Sequence, residues 1–324
     1  MTKPAIAFLI AAVFSIIIGP KAIQLLARLR LRQTISEDVP KRHRQKQGTP
    51  MMGGLIILLG AAVGAACVWS GNAKVAAVVL LTLAFAGLGF LDDFLIASRG
   101  KSLGLKARHK LFAQFLFAII FVYWVHANRS VYPTVLPLWN MDHAIDLGWF
   151  YYPFAVLMIV GMTNAFNLAD GLDGLVAGTT AILALSLGAL VISAASPGLP
   201  ILAWAVAGGC VGFLWYNSNP AKVFMGDTGS LALGGVTVGI AIVARQEFLY
   251  LILSAIFVVE ALSVMIQVAS FKTTGKRVFK MTPIHHHFEL SGFAEQKIVV
   301  GFWIIQGLIS LGVLTWAGVL RIWN

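Results

Sequence analysis

Long apolar runs separated by short polar stretches extend through the whole chain. A run of about 20 apolar residues matches a helix that crosses about 30 Å of hydrocarbon. Because the pattern repeats in this way, the sequence predicts an all-α polytopic membrane protein with about ten transmembrane helices. They are expected near residues 4–27, 53–70, 75–95, 111–127, 151–167, 174–193, 200–217, 230–244, 249–270 and 298–320.

Residues 130–150 break this pattern. The stretch is aromatic and interrupted by prolines, which indicates a short hairpin on the outer side rather than a further helix. The eighth apolar run is short for a full crossing. An even number of crossings predicts that both termini lie on the same side of the membrane.

Composition supports a membrane protein of one domain, residues 1–324. Charged residues make up 11% of the chain, whereas a soluble protein carries about a quarter. The first apolar run follows Lys3 without a clear cleavage site, so it is interpreted as a transmembrane helix and not a signal peptide. Cys67 and Cys210 lie in apolar runs and form neither a disulfide framework nor a metal-ligand pattern.

The positive charges predict the orientation. Most of the 24 lysines and arginines fall in loops that follow odd-numbered apolar runs. Basic loops favour the cytoplasmic side, so these loops are predicted inside and both termini outside. The net charge of +11 then reflects topology and attraction to anionic lipid or substrate. It does not indicate nucleic-acid binding.

Five carboxylates lie at or beside the ends of apolar runs, and all five fall on the predicted cytoplasmic side: Asp92, Asp93, Asp170, Asp173 and Asp227. The histidines at 285–287 fall there too. Ionisable groups near hydrocarbon are costly and usually mark function. The sequence therefore predicts one polar site at the inner membrane face.

The two aspartate pairs have different alternative explanations that involve no function. Asp92 and Asp93 are neighbours on a helix and point about 100° apart, so they are expected to play different roles. Helix-end solvation is a poor alternative, because carboxylates at a helix C-terminus oppose the helix dipole. Asp170 and Asp173 would share one face if that stretch were helical, whereas a helix N-cap explains only one acid.

Asp227 precedes a new apolar helix. A role as its N-cap competes with metal or phosphate binding, because helix N-termini also attract phosphate. Asn164 and Asn167 accompany the acids as candidate pocket residues. The basic loops at 40–54 and 99–111 face anionic lipid in the simplest interpretation. Lys46, Lys106 and Lys110 are the candidates for phosphate contact.

The three consecutive histidines, His285, His286 and His287, favour proton handling or phosphate contact over a metal site. Carboxylates, lysines and histidines at one membrane face suit phosphoryl transfer with Mg²⁺. The acceptor would lie in the bilayer and the donor would arrive from the cytoplasm. A transporter is the alternative of another class; the gathering of charge at one face and the lack of a visible repeat disfavour it.

Five blocks, in order, carry a resemblance to a known family: KQGTPMMGG, FLDDF, NAFNLADGLDGL, VFMGDTGSLALGG and MTPIHHHFELSGFAEQKIV. The chain resembles the polyprenyl-phosphate N-acetylhexosamine-1-phosphate transferases over nearly its whole length. The PIHHHFE block resembles the branch that uses UDP-N-acetylmuramoyl-pentapeptide. A sister enzyme that uses UDP-N-acetylglucosamine is the alternative.

The resemblance implies transfer of phospho-N-acetylmuramoyl-pentapeptide from UDP to undecaprenyl phosphate. The products would be lipid I and UMP, in the first membrane step of peptidoglycan synthesis. It also implies ten spans, outward termini, a homodimer and a site on the cytoplasmic side of a bacterial inner membrane.

The resemblance also implies residue roles. Asp227 matches the Mg²⁺ ligand, Asp92 and Asp93 match an essential pair, and His285 matches a required histidine. Whether transfer is direct or passes through an aspartyl phosphate stays open at this point. Positions matching the uridine pocket are Asn217, Phe224, Asp170, Gly171, Leu172 and Asp173.

Overall fold

A computed structural model of the chain describes residues 2–29, 48–68, 72–99, 104–128, 134–138, 142–192 and 197–320. These residues form twelve α-helices and one small hairpin. The helices are α1 Thr2–Arg28, α2 Gly54–Ala66, α3 Ala73–Arg99, α4 Ala107–Ala127, α5 Tyr151–Ala169, α6 Leu175–Leu190, α7 Gly198–Asn217, α8 Gly226–Ala244, α9 Glu247–Leu253, α10 Ala255–Thr274, α11 Ile284–Glu289 and α12 Glu295–Trp316.

Every predicted apolar run is helical, which confirms the all-α membrane fold. By length and composition, 8 helices in the described part of the chain are long and apolar enough to cross a membrane. The other two runs form shorter apolar helices, α2 and α6. The expectation that the eighth run is short was wrong, because α8 begins at Gly226 and has 19 residues.

The ninth run differs from the prediction of one continuous helix. It divides into α9 and α10 at Ser254, whose hydroxyl donates to the carbonyl oxygen of Tyr250 at 2.7 Å. Such serine back-bonding competes with the helix ladder and often bends a helix. The short helix α11, which carries the three histidines, was not expected from the apolar pattern.

The short hairpin predicted within residues 130–150 is confirmed. Strand β1 (Val135–Pro137) pairs antiparallel with β2 (Ala144–Asp146), with Leu136 opposite Ile145. One turn of 3₁₀ helix, Gly148–Phe150, then leads into α5.

Helices α7 and α8 form the centre of the bundle. Their most apolar windows are 78% and 83% buried, against 28% or less for α1, α4, α10 and α12. Helix α1 packs on α7, and α3 and α5 pack on α8. Helices α7 and α8 are therefore enclosed by other helices, whereas α1, α4, α10 and α12 leave most of their residues at least partly exposed.

Close packing of α3 on α8 brings two polar helix ends together. A Cβ atom at Gly89 would lie 2.2 Å from the backbone oxygen of Asp227. Small residues at helix interfaces in membranes let backbones approach in this way. Glycine at this position therefore allows the C-terminal part of α3 to reach the first turn of α8.

Candidate active site

Four helix ends meet at one point of the bundle. They are the C-terminal end of α3, the N-terminal end of α4, the C-terminal end of α5 and the N-terminal end of α8. Each contributes a side chain that the sequence singled out: Asp92, Lys110, Asn167 and Asp227. The structure thus brings together polar groups from widely separated parts of the chain.

Lys110 lies at the centre of this cluster. Its Nζ lies 3.2 Å from Asp92 Oδ2, forms an ion pair with Asp227 Oδ2 and lies 3.4 Å from Asn167 Oδ1. Its side chain is 16% exposed. One ammonium group therefore balances two carboxylates, in surroundings where an unpaired charge would be costly.

Asn167 braces Asp227 from the other side. Its amide nitrogen donates to Asp227 Oδ1 at 2.7 Å and to the Ser230 hydroxyl at 3.0 Å. Both oxygens of the Asp227 carboxylate are thereby oriented. Asp92 is held similarly, because the backbone N–H of Leu105 donates to its Oδ1 at 2.5 Å.

Asp93 faces a different partner from Asp92. Its carboxylate accepts the backbone N–H groups of Asp227 and Thr228, at 3.0 and 2.9 Å, and the Thr228 hydroxyl at 2.6 Å. These N–H groups belong to the first turn of α8, where a helix leaves donors without internal partners. Asp93 therefore caps α8 from another helix.

In this arrangement the Asp227 side chain does not cap its own helix. An N-cap role would require its carboxylate to accept N–H groups of its own helix, yet it faces Lys110 and Asn167. Because Asp93 supplies the cap, the oxygens of Asp227 are directed into the cluster.

Asp170 and Asp173 lie in the turn between α5 and α6, so the stretch is not helical and the condition under which both would share one helix face is not met. Gly174 begins α6 with φ +81°, a backbone conformation that interrupts the helix. Burial and the nearby carboxylate of Asp227 raise the pKa of Asp170 to about 8. Asp170 therefore belongs electrostatically to the acidic cluster.

Asp173 organises the loop before α8. Its Oδ2 accepts the Asn219 amide and the backbone N–H of Ala221, both at 3.1 Å. Asn217 completes the link, because its Oδ1 accepts the N–H of Gly174 at 3.0 Å and its amide donates to the Val223 oxygen at 2.9 Å. These two candidates fix loop 218–225 against the 170–174 turn.

Phe224 lies at the end of loop 218–225, and Leu172 lies within the 170–174 turn. The backbone N–H of Phe224 donates to Pro50 O at 2.9 Å, and its carbonyl accepts the N–H of Gly53 at 2.8 Å. Residues 50–53 of the KQGTPMMGG block thus pair with the segment just before α8. Leu172 packs with Ile298 on α12 in a small apolar cluster.

His285 is fully buried and contacts the same turn. A Cβ atom at Gly171 would lie 2.3 Å from His285 Nε2, so glycine is needed for this approach. The ring's Nδ1 lies 3.1 Å from Oε2 of Glu260, which is also fully buried. His286 pairs with Glu289 at 2.6 Å, and His287 Nδ1 accepts the N–H of Lys280 at 3.2 Å.

Two candidates, Asn164 and Lys106, lie apart from the cluster, and a third falls on a part of the chain that the structure does not describe. The Asn164 amide donates to Gln114 at 2.7 Å and to the Val160 carbonyl at 2.7 Å, which ties α5 to α4. Lys106 precedes α4 with an exposed side chain. Lys46 lies outside the described residues.

Two acids that contact candidate site residues were not singled out from the sequence. Glu260 pairs with His285, and Glu295 accepts the backbone N–H of Asp173 at 2.8 Å. Glu260 lies inside an apolar run, and an acid within a predicted membrane helix is itself a signal of function. Glu295 carries no such signal, because it begins a helix in an ordinary position.

The cluster fits Mg²⁺ by the chemistry of its donors. Asp92, Asp227 and Asn167 direct carboxylate and amide oxygens at a single positive charge, that of Lys110. Within the described ranges, no group of three or more His, Cys, Asp or Glu side chains is arranged to hold a metal by itself. Mg²⁺ usually takes one or two carboxylates and completes its shell with water and substrate phosphates.

Comparison with known proteins identifies the family. The sequence profile of glycosyl transferase family 4 matches residues 75–245. A phospho-N-acetylmuramoyl-pentapeptide-transferase of Acetivibrio thermocellus is 45% identical over 306 residues, which cover 94% of this chain and 92% of the relative. Proteins of the same name from Halalkalibacterium halodurans and Heliobacterium modesticaldum are each 46% identical, over 94% and 97% of this chain and 94% and 98% of their own lengths. The chain therefore belongs to glycosyl transferase family 4 and, by these relatives, to the phospho-N-acetylmuramoyl-pentapeptide-transferases.

Proposed function

We propose that this protein transfers phospho-N-acetylmuramoyl-pentapeptide from its UDP carrier to undecaprenyl phosphate, giving lipid I and UMP. The observation that carries the proposal is the match of nearly the whole chain, at about 45% identity, to transferases named for this group. The polar cluster at the ends of four apolar helices supports it. Such a position suits a lipid acceptor and a water-soluble donor.

The proposal also covers the location, orientation and oligomeric state of the protein. The protein would lie in a bacterial cytoplasmic membrane as a homodimer, with both termini outside and the polar cluster facing the cytoplasm. The asymmetry of basic loops supports this orientation. The resemblance stated for the sequence is the basis for the homodimer.

Asp227 and Asp92 would hold Mg²⁺, with the amide oxygen of Asn167 as a neutral neighbour. When bound, the ion would neutralise charge that develops on the donor's pyrophosphate. The contacts of Lys110 with both carboxylates support this assignment, because they mark a point where a cation is stabilised. Lys110 itself supplies a fixed positive charge beside the reacting phosphates.

The reaction we propose is a direct displacement. An oxygen of undecaprenyl phosphate forms a bond to the sugar-bearing phosphorus of the donor. The bond from that phosphorus to the UMP oxygen breaks, and UMP leaves with the electron pair. Positioning and charge neutralisation supply most of the catalysis in such transfers.

Asp92 and Asp93 would serve this step differently. Asp92 contacts Lys110 at 3.2 Å and is the better candidate to orient the acceptor phosphate. Asp93 has both oxygens occupied by the first turn of α8, which argues against a covalent role and for a structural one. An aspartyl-phosphate route would have to use Asp92.

Recognition of the donor involves the loop that Asp173 and Asn217 fix. Phe224, half-buried at its end, would offer a ring to the uracil base. Lys46, Lys106 and His286 and His287 remain candidates for contacts with the phosphates or sugar. The imidazole of His285 lies against Gly171 in the 170–171 turn.

The deciding experiment uses the purified protein with Mg²⁺ and undecaprenyl phosphate and measures UMP release from each UDP-sugar. We expect UMP from UDP-N-acetylmuramoyl-pentapeptide. UMP only from UDP-N-acetylglucosamine would reassign the protein to the sister class. UMP from neither would overturn the proposal. Radiolabel retained on the protein after incubation with donor alone would contradict direct displacement.

A further inference from the structure

Glu260 is a buried acid that has no role in the transfer step proposed above. It lies on α10 and its side chain is fully buried. A carboxylate in such a position is retained in membrane helices mainly where it has a partner and a function. Its Oε2 lies 3.1 Å from Nδ1 of His285, which is itself fully buried.

The opposite edge of the imidazole faces the 170–171 turn. Nε2 makes no hydrogen bond with any residue that the structure describes, although it is fully buried. The backbone at Gly171 is so close that a Cβ atom would lie 2.3 Å from this nitrogen. The His285 ring is thus held at Nδ1 by Glu260, while Nε2 faces the side of the acidic cluster without a hydrogen-bond partner among the described residues.

A carboxylate at one ring nitrogen decides what the other nitrogen can do. If Glu260 accepts Nδ1–H, the neutral ring presents a lone pair at Nε2, and the protonated ring presents an N–H donor there. Carboxylates that bind histidine in this way fix the ring orientation and the tautomer. The protonated ring can donate from Nε2 to an anionic phosphate, whereas the neutral ring can accept a proton there.

The charged and titratable groups around His285 are few among the described residues. Glu260 contacts it from α10, and Asp170 lies beside Gly171 in the turn. The His286 ring lies 4.2 Å away between centroids and is engaged with Glu289. Glu260 is therefore the group in hydrogen-bond contact with the ring of His285.

We propose that Glu260 is a positioning residue for the transfer reaction: it holds His285 with Nδ1 protonated and Nε2 directed at the 170–171 turn, where the donor would bind. The role in the transfer reaction rests on the proposed function. The contact between Glu260 and His285 does not depend on that function. Glu260 acts through His285 and does not touch the substrate.

The kinetic test is a double-mutant cycle with Glu260→Leu and His285→Ala. Leucine keeps the volume in a membrane helix and removes the acceptor. We expect a loss in kcat of about 10- to 100-fold with little change in the donor KM. In the His285→Ala background, the same change should add less than about a twofold loss, since coupled residues are not additive. Glu260→Gln should recover part of the loss, because its amide oxygen still accepts Nδ1–H.

Glu247→Gln is the matched control. Glu247 is also fully buried, and it accepts the Tyr151 hydroxyl at 2.6 Å. Tyr151 begins α5, whereas the 170–171 turn follows its end, about 28 Å away at 1.5 Å per residue. We expect unchanged kcat in this variant. Equal losses in both glutamate variants, or a full further loss in the double mutant, would overturn the proposal.

A second measurement does not depend on turnover. Solid-state NMR of ¹⁵N-histidine-labelled protein in bilayers reports which ring nitrogens carry protons, and His285→Asn identifies the signal. We expect a protonated Nδ1 in the wild type and a shift toward the Nε2–H tautomer in Glu260→Leu. An unprotonated Nδ1 in the wild type would overturn the inference. If the wild type releases no UMP, the proposed function fails, while this spectrum still decides the role of Glu260.

Discussion

Replacement of Asp93 by alanine tests whether this residue acts as a cap on α8. The change removes the acceptor of three hydrogen bonds, from Asp227 N–H, Thr228 N–H and the Thr228 hydroxyl. Asp93 is 1% exposed and Thr228 is fully buried, so water does not readily replace the lost acceptor. Each buried donor left without a partner costs about 1–3 kcal/mol.

The three costs are not independent, because one carboxylate serves one helix turn. We therefore expect the free energy of unfolding to fall by about 3–5 kcal/mol, more than the loss of about 1 kcal/mol for an ordinary N-cap. Asp92→Ala, at the neighbouring position, is the matched control. It strands one N–H, that of Leu105, and leaves Lys110 paired with Asp227, so we expect about 1–2 kcal/mol.

The assay is thermal unfolding of both variants in one detergent, with UMP release measured in parallel. Asp93→Ala should lower the unfolding midpoint by on the order of 10 °C, and Asp92→Ala by a few degrees with a complete loss of turnover. Thr228→Val removes one of the three bonds and should produce about a third of the Asp93 effect. Equal midpoints for the two aspartate variants would refute the capping role.

Three further changes test other parts of the cluster. Gly171→Ala should lower kcat by about 100-fold, because a Cβ atom 2.3 Å from His285 Nε2 forces the ring to move. Gly161→Ala on α5, where a Cβ atom meets open space, is its control and should retain activity; equal kcat in both would dismiss the contact. Asn164→Leu should lower the unfolding midpoint through loss of its glutamine partner on α4, with the donor KM unchanged; a raised KM would restore a substrate contact. Asp227→Ala should abolish UMP release across a titration of Mg²⁺, and near-normal activity would remove this residue from the proposed metal site.

Much of the site was predictable, but the pairings within it were not. The prediction that Asp92, Asp227 and Lys110 share one site follows from the cost of charge near hydrocarbon, and the structure brings all three into contact. Asn164 has the same composition signal as Asn167, yet only Asn167 faces Asp227. About one turn of helix separates the two asparagines. Which of them faces Asp227 depends on how α5 is rotated against its neighbours.

The sequence by itself determined that the chain is a bundle of apolar helices and that its acids gather at helix ends. The hydrocarbon requires long apolar runs with internally bonded backbones, and that requirement is visible in the order of residues. Tertiary structure alone decided that Asp93 caps a helix 135 residues away, that α9 and α10 are separated at Ser254, and that Glu260 reaches His285. These contacts depend on the rotation and close approach of helices distant in sequence, and no local pattern of residues encodes either quantity.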